Sequence, residues 1–445
     1  MINIIVSVIN MEKIIQFGEG NFLRAFAEEY IQELGEKVAV CQPRKNDKII
    51  NKLKAQNCEY DIIKRGRLNS KVINERVHIT CVSRAINSVT EQKKIEELFC
   101  SNDLEYVISN TTEAGITFCD KDNEGDYTNI SFPGKIAYLL NKRQKSNCKP
   151  LIFLPAELIE NNGPELKKCV LCYGELWGYG KNFSDYVEKN HFCSTLVDRI
   201  VTGHIDGDED PCSVACEPYR NLVIEADEYA ESKLPKRDTI TYTKSLQRYR
   251  ERKVKILNGG HTSTVLAALM DRHDIVRDTV QDGAYDKFMS QCFGEIRQTI
   301  DMDENELTDF INAVKERFDN PYIDHKLSDI SLNSVAKFKT RVLPSILEYK
   351  KVKGEYPKRL MFSFAALIAF YSHCGTLRNY TVRDDEKVTD FFTNKDNIVE
   401  RTLANTEFWG TDLSTDKIFV SEISTMYNDI SEHEIRKAIE TIINE

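Results

Sequence analysis

Short apolar runs alternate with amphipathic segments through the first half of the chain. Residues 13–17 predict a buried strand, and the apolar positions of residues 22–34 recur at the spacing of a helix. Further predicted strands cover residues 38–41, 60–64, 77–83, 106–109 and 151–154, and further helices cover 91–99 and 134–141. Strands that alternate with helices in this way predict an α/β fold, with a mainly parallel sheet covered on both faces.

The second half has a different pattern, because long amphipathic helices dominate from about residue 264 onward. Residues 285–300, 304–318 and 359–371 each repeat apolar side chains at helical spacing. The segment 359–371 is apolar nearly all round, which predicts a buried central helix.

The change of pattern falls between Pro235 and Lys255. We therefore expect two domains, an α/β domain over 1–245 and a mainly α-helical domain over 246–445. A chain of 445 residues is long enough for this division, since a domain averages about 150 residues.

Composition and charge exclude several classes of function. The 60 basic and 70 acidic residues give a net charge of −10, which argues against nucleic acid or an anionic membrane as the main partner. The apolar run Ile4–Ile9 is far shorter than the roughly 20 residues that cross a bilayer. We expect a protein of the cytoplasm, because 13 scattered cysteines, an odd number, do not resemble a secreted disulfide framework.

Two close cysteine pairs raise the question of a metal site. Cys169 and Cys172 are three positions apart, and Cys212 and Cys216 are four apart. Four thiolates are a ligand set for zinc, but the first pair also fits an apolar helix face. We expect no metal.

The segment Gly18–Leu23 follows the first predicted strand and opens a predicted helix, the context in which a dinucleotide is bound. Gly18 permits a tight turn, Gly20 lets the backbone approach a pyrophosphate, and Glu19, Asn21 and Phe22 complete the turn. Leu23 stands where the usual third glycine would be. A glycine turn of any α/β protein remains the alternative interpretation.

The end of the second predicted strand bears on the choice of cofactor. An acidic residue there usually binds the ribose hydroxyls of NAD, but Gln42 leads into Arg44 and Lys45 instead. These cations suit a 2′-phosphate or a solvated loop equally well, so spacing alone leaves NAD and NADP open.

The segment 253–261, KVKILNGGH, places a lysine, an amide and an imidazole beside two glycines. Lys253 in a cleft is a candidate general base, and Asn258 and His261 can bind a developing alkoxide or a carbonyl oxygen. The two glycines are expected to let a substrate approach. The alternative is a helix start with a surface lysine and a structural histidine.

Taken together, these segments resemble the polyol-specific long-chain dehydrogenases, the mannitol dehydrogenase family. The resemblance covers most of the chain and rests on residues 14–26, 109–116, 196–200, 252–261 and 341–345. It implies an N-terminal Rossmann-type, doubly wound parallel sheet and a mainly α-helical C-terminal domain.

The resemblance also implies NAD-dependent hydride transfer without a metal. The family motif Lys-x4-Asn-x2-His maps onto Lys253 as acid/base and onto Asn258 and His261, which bind and orient the reacting oxygen. The expected cofactor-binding residues are Gly18, Glu19, Gly20, Asn21, Phe22, Leu23, Asn110, Thr111 and Glu113.

One departure from the family pattern concerns the substrate. Polyol dehydrogenases commonly carry an asparagine at the position of Leu158, so a mannitol-like site is in doubt and Glu157 becomes a candidate for a changed role near substrate or cofactor. The pattern resembles the branch that acts on sugar acids and reduces D-tagaturonate to D-altronate. A carboxylate substrate needs a cation, for which Arg341 and Arg199 are candidates, although each also suits a structural ion pair.

Alternatives remain open. The chain resembles siblings that act on fructuronate, mannitol or mannitol 1-phosphate, and a non-catalytic NAD-binding regulator on the same fold is a further possibility. The sequence does not determine the oligomeric state.

Overall fold

The computed structural model describes residues 12–43, 46–112, 114–373 and 380–445. These residues form two compact units. The first extends to Leu246, apart from the short stretch 66–71, which groups with the second, Gln247–Glu445.

The strands of the described residues all belong to the N-terminal part of the chain. They are β1 (Ile14–Phe17), β2 (Val38–Gln42), β3 (Tyr60–Leu68), β4 (Lys71–Ile79), β5 (Val82–Asn87), β6 (Tyr106–Ser109), β7 (Ile152–Pro155), β8 (His191–Phe192), β9 (Ser194–Asp198), β10 (Val201–Gly203), β11 (Val214–Cys216), β12 (Asn221–Glu225) and β13 (Ile240–Thr243).

The helices of this part connect the strands. They are α1 (Asn21–Arg24), α2 (Ala27–Leu34), α3 (Lys48–Ala55), α4 (Gln92–Phe99), α5 (Phe132–Lys145), α6 (Asn162–Leu176), α7 (Lys181–Glu188) and α8 (Glu228–Lys233).

The second unit is helical. Its helices are α9 (Gln247–Arg252), a π-helix (Lys253–Asn258), α10 (Gly259–Met270), α11 (Val276–Gln281), α12 (Gly283–Arg297), α13 (Glu304–Phe318), α14 (Leu327–Ile330), α15 (Ser334–Arg341), α16 (Leu343–Lys353), α17 (Lys358–Tyr371), α18 (Glu386–Phe391), α19 (Ile398–Leu403), α20 (Thr406–Trp409), a 3₁₀ helix (Leu413–Thr415), α21 (Lys417–Glu432) and α22 (Ile435–Ile442).

A six-stranded parallel sheet is the centre of the first unit. Its order is β5-β2-β1-β6-β7-β8, and every pairing in it is parallel. Strand order therefore reverses between β1 and β6, and in sheets of this kind ligands bind at that switch point, beyond the carboxyl ends of the strands. The predicted α/β fold with a Rossmann-type, doubly wound parallel sheet and a mainly helical C-terminal part is confirmed.

The predicted helix 22–34 is broken in the structure. It ends as α1 at Arg24 and begins again as α2 at Ala27. The cause is competition for backbone carbonyls, because the Tyr60 hydroxyl donates to the carbonyl of Arg24 at 2.7 Å and Arg199 Nη1 donates to that of Ala25 at 2.6 Å. Side chains thus take the acceptors that a continuous helix would use.

The predicted strand 77–83 is also wrong as a single element, because β4 ends at Ile79 and β5 begins at Val82. The two residues between them are anchored by other elements. Gln32 Oε1 accepts from the Thr80 backbone N–H at 3.0 Å, and the Cys81 carbonyl accepts from the Val38 N–H at 3.0 Å.

Two smaller sheets complete the first unit, with strand orders β10-β11-β3-β4 and β13-β12-β9. An apolar cavity of about 230 Å³ is lined by the six-stranded sheet, by α1 and α2 and by the three-stranded sheet. Leu23 is one of its lining residues. The third glycine of the usual fingerprint allows a helix and a strand to pack closely, and a leucine here holds them apart.

The helices predicted for the second half are confirmed with small shifts of their ends, as α12, α13 and α17. Two of them begin at aspartate caps, because Asp282 and Asp303 accept hydrogen bonds from backbone N–H groups of the first turn. Helix α17 is buried from Leu360 to Tyr371, as a helix that is apolar all round requires.

The described cysteines are all free thiols, and Cys169 and Cys172 lie on α6. Over the described ranges, no group of three or more His, Cys, Asp or Glu side chains is placed to hold a metal ion. In the same ranges, no helix combines the length and the apolar character needed to span a membrane.

A buried carboxylate links α12 to the start of the central helix. Glu295 accepts hydrogen bonds from the backbone N–H groups of Arg359 at 3.0 Å and Leu360 at 2.9 Å. Burial nevertheless raises the pKa of Glu295 to about 7, because the loss of hydration outweighs these bonds and the Arg359 guanidinium 4.0 Å away.

This shift predicts a pH dependence of stability. A carboxyl whose pKa is higher in the folded than in the unfolded state binds more protons when folded, so the free energy of unfolding should fall as pH rises from about 4.5 to 7. The contribution of Glu295 over this range is about 3 kcal/mol. Thermal melts at several pH values should show that Glu295→Gln loses this slope while Glu440→Gln, at an exposed position, keeps it. An unchanged slope in Glu295→Gln would contradict the assignment.

Candidate active site

The turn after β1 requires glycine at its first position. Gly18 has φ +123°, and a Cβ there would lie 2.7 Å from the carbonyl oxygen of Asn110, the first residue after β6. Any larger residue would be strained in conformation and would also clash with backbone. The turns that follow β1 and β6 therefore meet at the switch point of the sheet.

Gly20 is placed differently. It is the N-cap of α1, is exposed, and a Cβ added to it would meet no atom within 4 Å. The space beside Gly20 and the first turn of α1 is therefore open, and backbone N–H groups at a helix start favour an anion. This is the cradle that the sequence predicts for a pyrophosphate.

Buried side chains hold this turn in place. Arg24, 2% exposed, donates from Nε to the Glu19 carbonyl at 3.0 Å and from Nη2 to Asn21 Oδ1 at 2.7 Å. Gln16 Nε2 donates to the Gly18 carbonyl at 2.8 Å. The conformation of the turn thus depends on Arg24 and Gln16, to which the sequence analysis gave no role.

The other predicted residues of this segment also contact neighbouring protein groups, and their role toward a cofactor stays a prediction. The ring of Phe22 stacks on Phe26 with centroids 5.0 Å apart, and Leu23 is buried. The Asn21 amide lies close to Gly203, where a Cβ would be 2.9 Å from Asn21 Nδ2.

The turn after β6 is held by a buried acid. Glu157, which follows β7, accepts from Ser109 Oγ at 3.0 Å and from the backbone N–H and Oγ1 of Thr111 at 3.0 and 2.9 Å. Asn110 Nδ2 donates to the Ala156 carbonyl at 2.8 Å. Thr112 has φ +75°, a strained conformation for a β-branched residue, of the kind that is retained at functional sites.

Burial raises the pKa of Glu157, while its hydrogen bonds to Thr111 and Ser109 act in the opposite direction. At 2% exposure the carboxyl group is enclosed by the turn that it holds. Its neighbour Leu158 is 61% exposed, at the position where the family commonly has an asparagine.

Glu113, Arg44 and Lys45 lie outside the described residues.

The prediction of Arg199 as a substrate ligand is wrong. Its side chain is fully buried, forms an ion pair with Glu29, and donates from Nε to the Glu217 carbonyl at 2.8 Å. Burial acts to raise the pKa of Glu29, but the neighbouring positive charges, Arg199 first among them, outweigh it and lower the pKa. Arg199 joins elements of the first unit and does not face a ligand.

In the second unit, Lys253 and Asn258 are the first and last residues of the π-helix. Five residues of an α-helix turn by about 500°, which would place these side chains about 140° apart. The i→i+5 hydrogen bonds of a π-helix turn the chain more slowly and bring residues five apart onto one side. The Lys-x4-Asn spacing fits this rare helix, a signal that the sequence analysis did not use.

The two glycines after Asn258 serve packing, so the expectation that they let a substrate approach is wrong. A Cβ on Gly260 would lie 2.5 Å from the ring of Phe293, and one on Gly259 would lie 3.1 Å from the carbonyl oxygen of Arg341. The glycines bring α10 close to α12 and to the end of α15.

Arg341 is the last residue of α15, where the chain breaks before α16. Pro344 explains the break, since a proline in a continuous helix removes a hydrogen bond and clashes with the preceding turn. The guanidinium is half-buried, and its Nη1 lies 3.4 Å from Thr262 Oγ1. Among the described residues no carboxylate pairs with it, and burial lowers its pKa.

His261 lies beside Arg341. Its ring stacks on Phe318 with centroids 3.9 Å apart and meets His325 edge-on at 5.3 Å. Burial, followed by the charges of His325, Arg317, Arg341 and Lys337, holds the pKa of His261 well below its ordinary value. The imidazole is therefore neutral at neutral pH.

Three polar groups here have spare hydrogen-bonding capacity. Within the described ranges, neither the Asn258 amide nor the His261 ring forms a side-chain hydrogen bond, and Arg341 forms only the long contact with Thr262. Unpaired, partly buried polar groups are costly unless a ligand binds them. The structure thus gathers Asn258, His261 and Arg341 in the second unit, with Lys253 at the head of the same helical segment.

Comparison with known proteins shows two family matches. Residues 12–236 match the mannitol dehydrogenase Rossmann domain, and residues 245–431 match the mannitol dehydrogenase C-terminal domain.

Similar proteins were found along almost the whole chain. The altronate oxidoreductase of Bacillus subtilis is 37% identical, covering 96% of this chain and 95% of that protein, and the altronate oxidoreductase of Halalkalibacterium halodurans is 33% identical, covering 98% and 94%. Mannitol 2-dehydrogenase of Pseudomonas fluorescens, solved as a ternary complex with NAD and D-mannitol, shares the fold with a TM-score of 0.67, 19% identity and coverage of 98% and 95%. A substrate-free D-sorbitol dehydrogenase has a TM-score of 0.79, 14% identity and coverage of 97% and 95%.

Gly260 and Gly294 offer a matched test of the packing. Gly260→Ala places a methyl group against the buried Phe293 ring, so we expect destabilisation by about 1–3 kcal/mol and displacement of the adjacent His261. Gly294→Ala, on α12, meets no atom within 4 Å and should stabilise by up to about 1 kcal/mol. Chemical denaturation measures both, and equal stability of the two variants would contradict the close packing.

Proposed function

The chain belongs to the mannitol dehydrogenase family, and from this premise we propose that it is an NAD-dependent oxidoreductase that interconverts D-tagaturonate and D-altronate. The observation that carries the proposal is the group of polar side chains left unpaired in the second unit. Asn258 and His261 can bind a carbonyl or alkoxide oxygen, and Arg341 supplies a fixed positive charge nearby.

The first unit is the proposed dinucleotide-binding domain, and the second carries the catalytic and substrate-binding residues. The open space at Gly20 and the close approach at Gly18 fit a pyrophosphate lying over the Gly18–Leu23 turn. The turn Asn110–Thr111, with Glu113 beyond it, is proposed to contact the nicotinamide end. When bound, NAD supplies or accepts the hydride.

Side chains of the second unit transfer the proton and orient the substrate oxygen. In reduction, the Lys253 ammonium donates a proton from Nζ to the oxygen of the substrate carbonyl, and in oxidation the neutral amine removes the hydroxyl proton. Asn258 donates a hydrogen bond to the same oxygen. The low pKa of His261 keeps its imidazole neutral, so it can orient this oxygen without competing for the proton.

The substrate assignment rests on the curated relatives and on charge. The two curated relatives named above are altronate oxidoreductases, whose sugar acid carries a carboxylate. A buried carboxylate needs a cationic partner, and Arg341, which has no acidic partner among the described residues, supplies one. We assign Glu157 to positioning the Thr111 turn, and we keep the expectation of a cytoplasmic enzyme.

Assays of NADH oxidation with a panel of substrates test this function. We expect strong preference for D-tagaturonate over D-fructose, with D-fructuronate between them, because fructose leaves the fixed cation unpaired. Equal efficiency with fructose would favour a mannitol-type dehydrogenase. Preference for fructuronate or a phosphorylated sugar would favour those siblings, and no turnover with any of them would favour a regulator.

Lys253→Ala should retain NADH binding and lose about 10²- to 10⁴-fold in turnover, since the acid/base group is gone. Lys253→Arg should also turn over poorly, because guanidinium does not release its proton. Lys255→Met is the control from the same helix. Lys255 donates to the Thr299 carbonyl at 2.9 Å, so its loss should lower the melting temperature and spare turnover. Full turnover of Lys253→Ala at saturating substrate would refute the role.

Gly20→Val should fold normally, because its Cβ meets no protein atom, and should bind NADH more weakly by roughly tenfold or more, because the side chain enters the space for the pyrophosphate. Gly283→Val, at the equally open start of α12, is the control and should bind NADH normally. Fluorescence titration measures both affinities. Normal affinity in Gly20→Val would rule out the proposed cofactor position.

A further inference from the structure

Positive charge accumulates around His261 in the second unit. Three permanent cations, Arg317, Lys337 and Arg341, act on the imidazole together, and we refer to them as the cation cluster. Lys337 and Arg341 lie four residues apart on α15 and therefore on one face of that helix. Like charges in this arrangement repel each other and destabilise a helix.

The acids that act on Lys337 and on His325 are already engaged by other groups. The acid that acts on Lys337 is Asp384, which already accepts from the Tyr371 hydroxyl. The acid that acts on His325 is Asp329, which pairs with Arg383 at 3.0 Å. Burial and Arg341 both lower the pKa of Lys337 and outweigh Asp384, which acts in the opposite direction. An anion bound here would supply a further counter-charge.

The arrangement along α15 suits a substrate with two functional ends. Arg341 contacts Thr262, the neighbour of His261, and Lys337 stands one helical turn away, a displacement of about 5 Å. In a keto sugar acid the carboxylate and the reacting carbonyl stand near opposite ends of a six-carbon chain. With the carbonyl at Asn258 and His261, a carboxylate would reach beyond Arg341 toward Lys337.

Lys337 also has a structural contact. Its Nζ donates to the carbonyl of Ile330, the last residue of α14, at 2.8 Å. A lysine commonly binds the last carbonyls of a helix, but this bond needs a donor and not a full charge. Substitution by glutamine can retain the donor while it removes the charge.

We propose that Lys337 and Arg341 form a carboxylate subsite next to His261, in which Lys337 selects sugar acids over neutral sugars. The proposal rests on the proposed function for the identity of the acid. Lys337 binds one end of the substrate and takes no part in proton transfer.

The test compares Lys337→Gln with Lys339→Gln. Lys339 lies on the same helix and also donates to a backbone carbonyl, that of Glu407 at 3.5 Å, and it is not among the main charges that act on His261. Steady-state rates with NADH are measured for D-tagaturonate and for D-fructose. We expect Lys337→Gln to raise KM for tagaturonate by roughly tenfold or more, with kcat and the efficiency for fructose nearly unchanged. Lys339→Gln should match the parent enzyme for both.

A second readout does not depend on turnover. The NADH-bound enzyme is titrated calorimetrically with D-gluconate, a six-carbon acid, and with D-glucitol, its neutral counterpart. The difference between the two affinities measures how much the carboxylate contributes to binding. The parent should bind gluconate more tightly, and Lys337→Gln should lose most of that difference. Lys337→Arg, which keeps the charge, should retain it.

The outcomes separate the two proposals. If the parent does not reduce tagaturonate but prefers gluconate through Lys337, the proposed function fails and the carboxylate subsite stands. If tagaturonate is reduced but Lys337→Gln weakens acid and neutral ligands equally, or changes only the melting temperature, Lys337 is merely a helix cap and the subsite is refuted.

Discussion

The first unit depends on one close approach of two backbones. Gly18 passes so near the Asn110 carbonyl that a side chain has no room, and this locks the turns after β1 and β6 together. The Asn110 N–H donates to the Phe17 carbonyl at 3.1 Å, which fixes the same junction from the strand side. Arg24 and Gln16 hold the turn after β1 by hydrogen bonds to its carbonyl groups, and Glu157 holds the turn after β6 through the Thr111 N–H. The site is therefore preorganised by backbone and buried polar groups, and its open side is left to the ligand.

The second unit differs from the first in how two polar side chains of the proposed site are bonded. Gly259 and Gly260 serve packing, and within the described residues neither the Asn258 amide nor the His261 ring forms a side-chain hydrogen bond. Unpaired polar groups of this kind cost stability, and a ligand that bonded to them would recover that cost. His261 is the clearest example, because burial and the neighbouring positive charges both hold its pKa well below the ordinary value.

Much of the fold could be predicted from the spacing of apolar residues. Strands buried on both faces appear in the sequence as short continuous apolar runs, and helices with one apolar face appear as apolar residues three or four positions apart. The break between Arg24 and Ala27 could not be predicted, since it arises when Tyr60 and Arg199 capture carbonyls from distant positions. The same limit affected the site. The motif identified Lys253, Asn258 and His261, but Arg199 could be recognised as a buried partner of Glu29 only in three dimensions. No sequence pattern singles out Lys337, because its proposed role depends on residues that are close to it only in the folded structure.

The replacement of the third fingerprint glycine by Leu23 has a volumetric consequence. Leu23 is one of the residues that line the apolar cavity of about 230 Å³, and whatever part of that volume excludes water is lost when the first unit unfolds. Hydrostatic pressure favours whichever state occupies less volume, and voids eliminated on unfolding are the main source of that difference. Pressure should therefore favour unfolding of the first unit to the extent that this cavity is lost on unfolding, and filling the cavity with a larger side chain should reduce that effect.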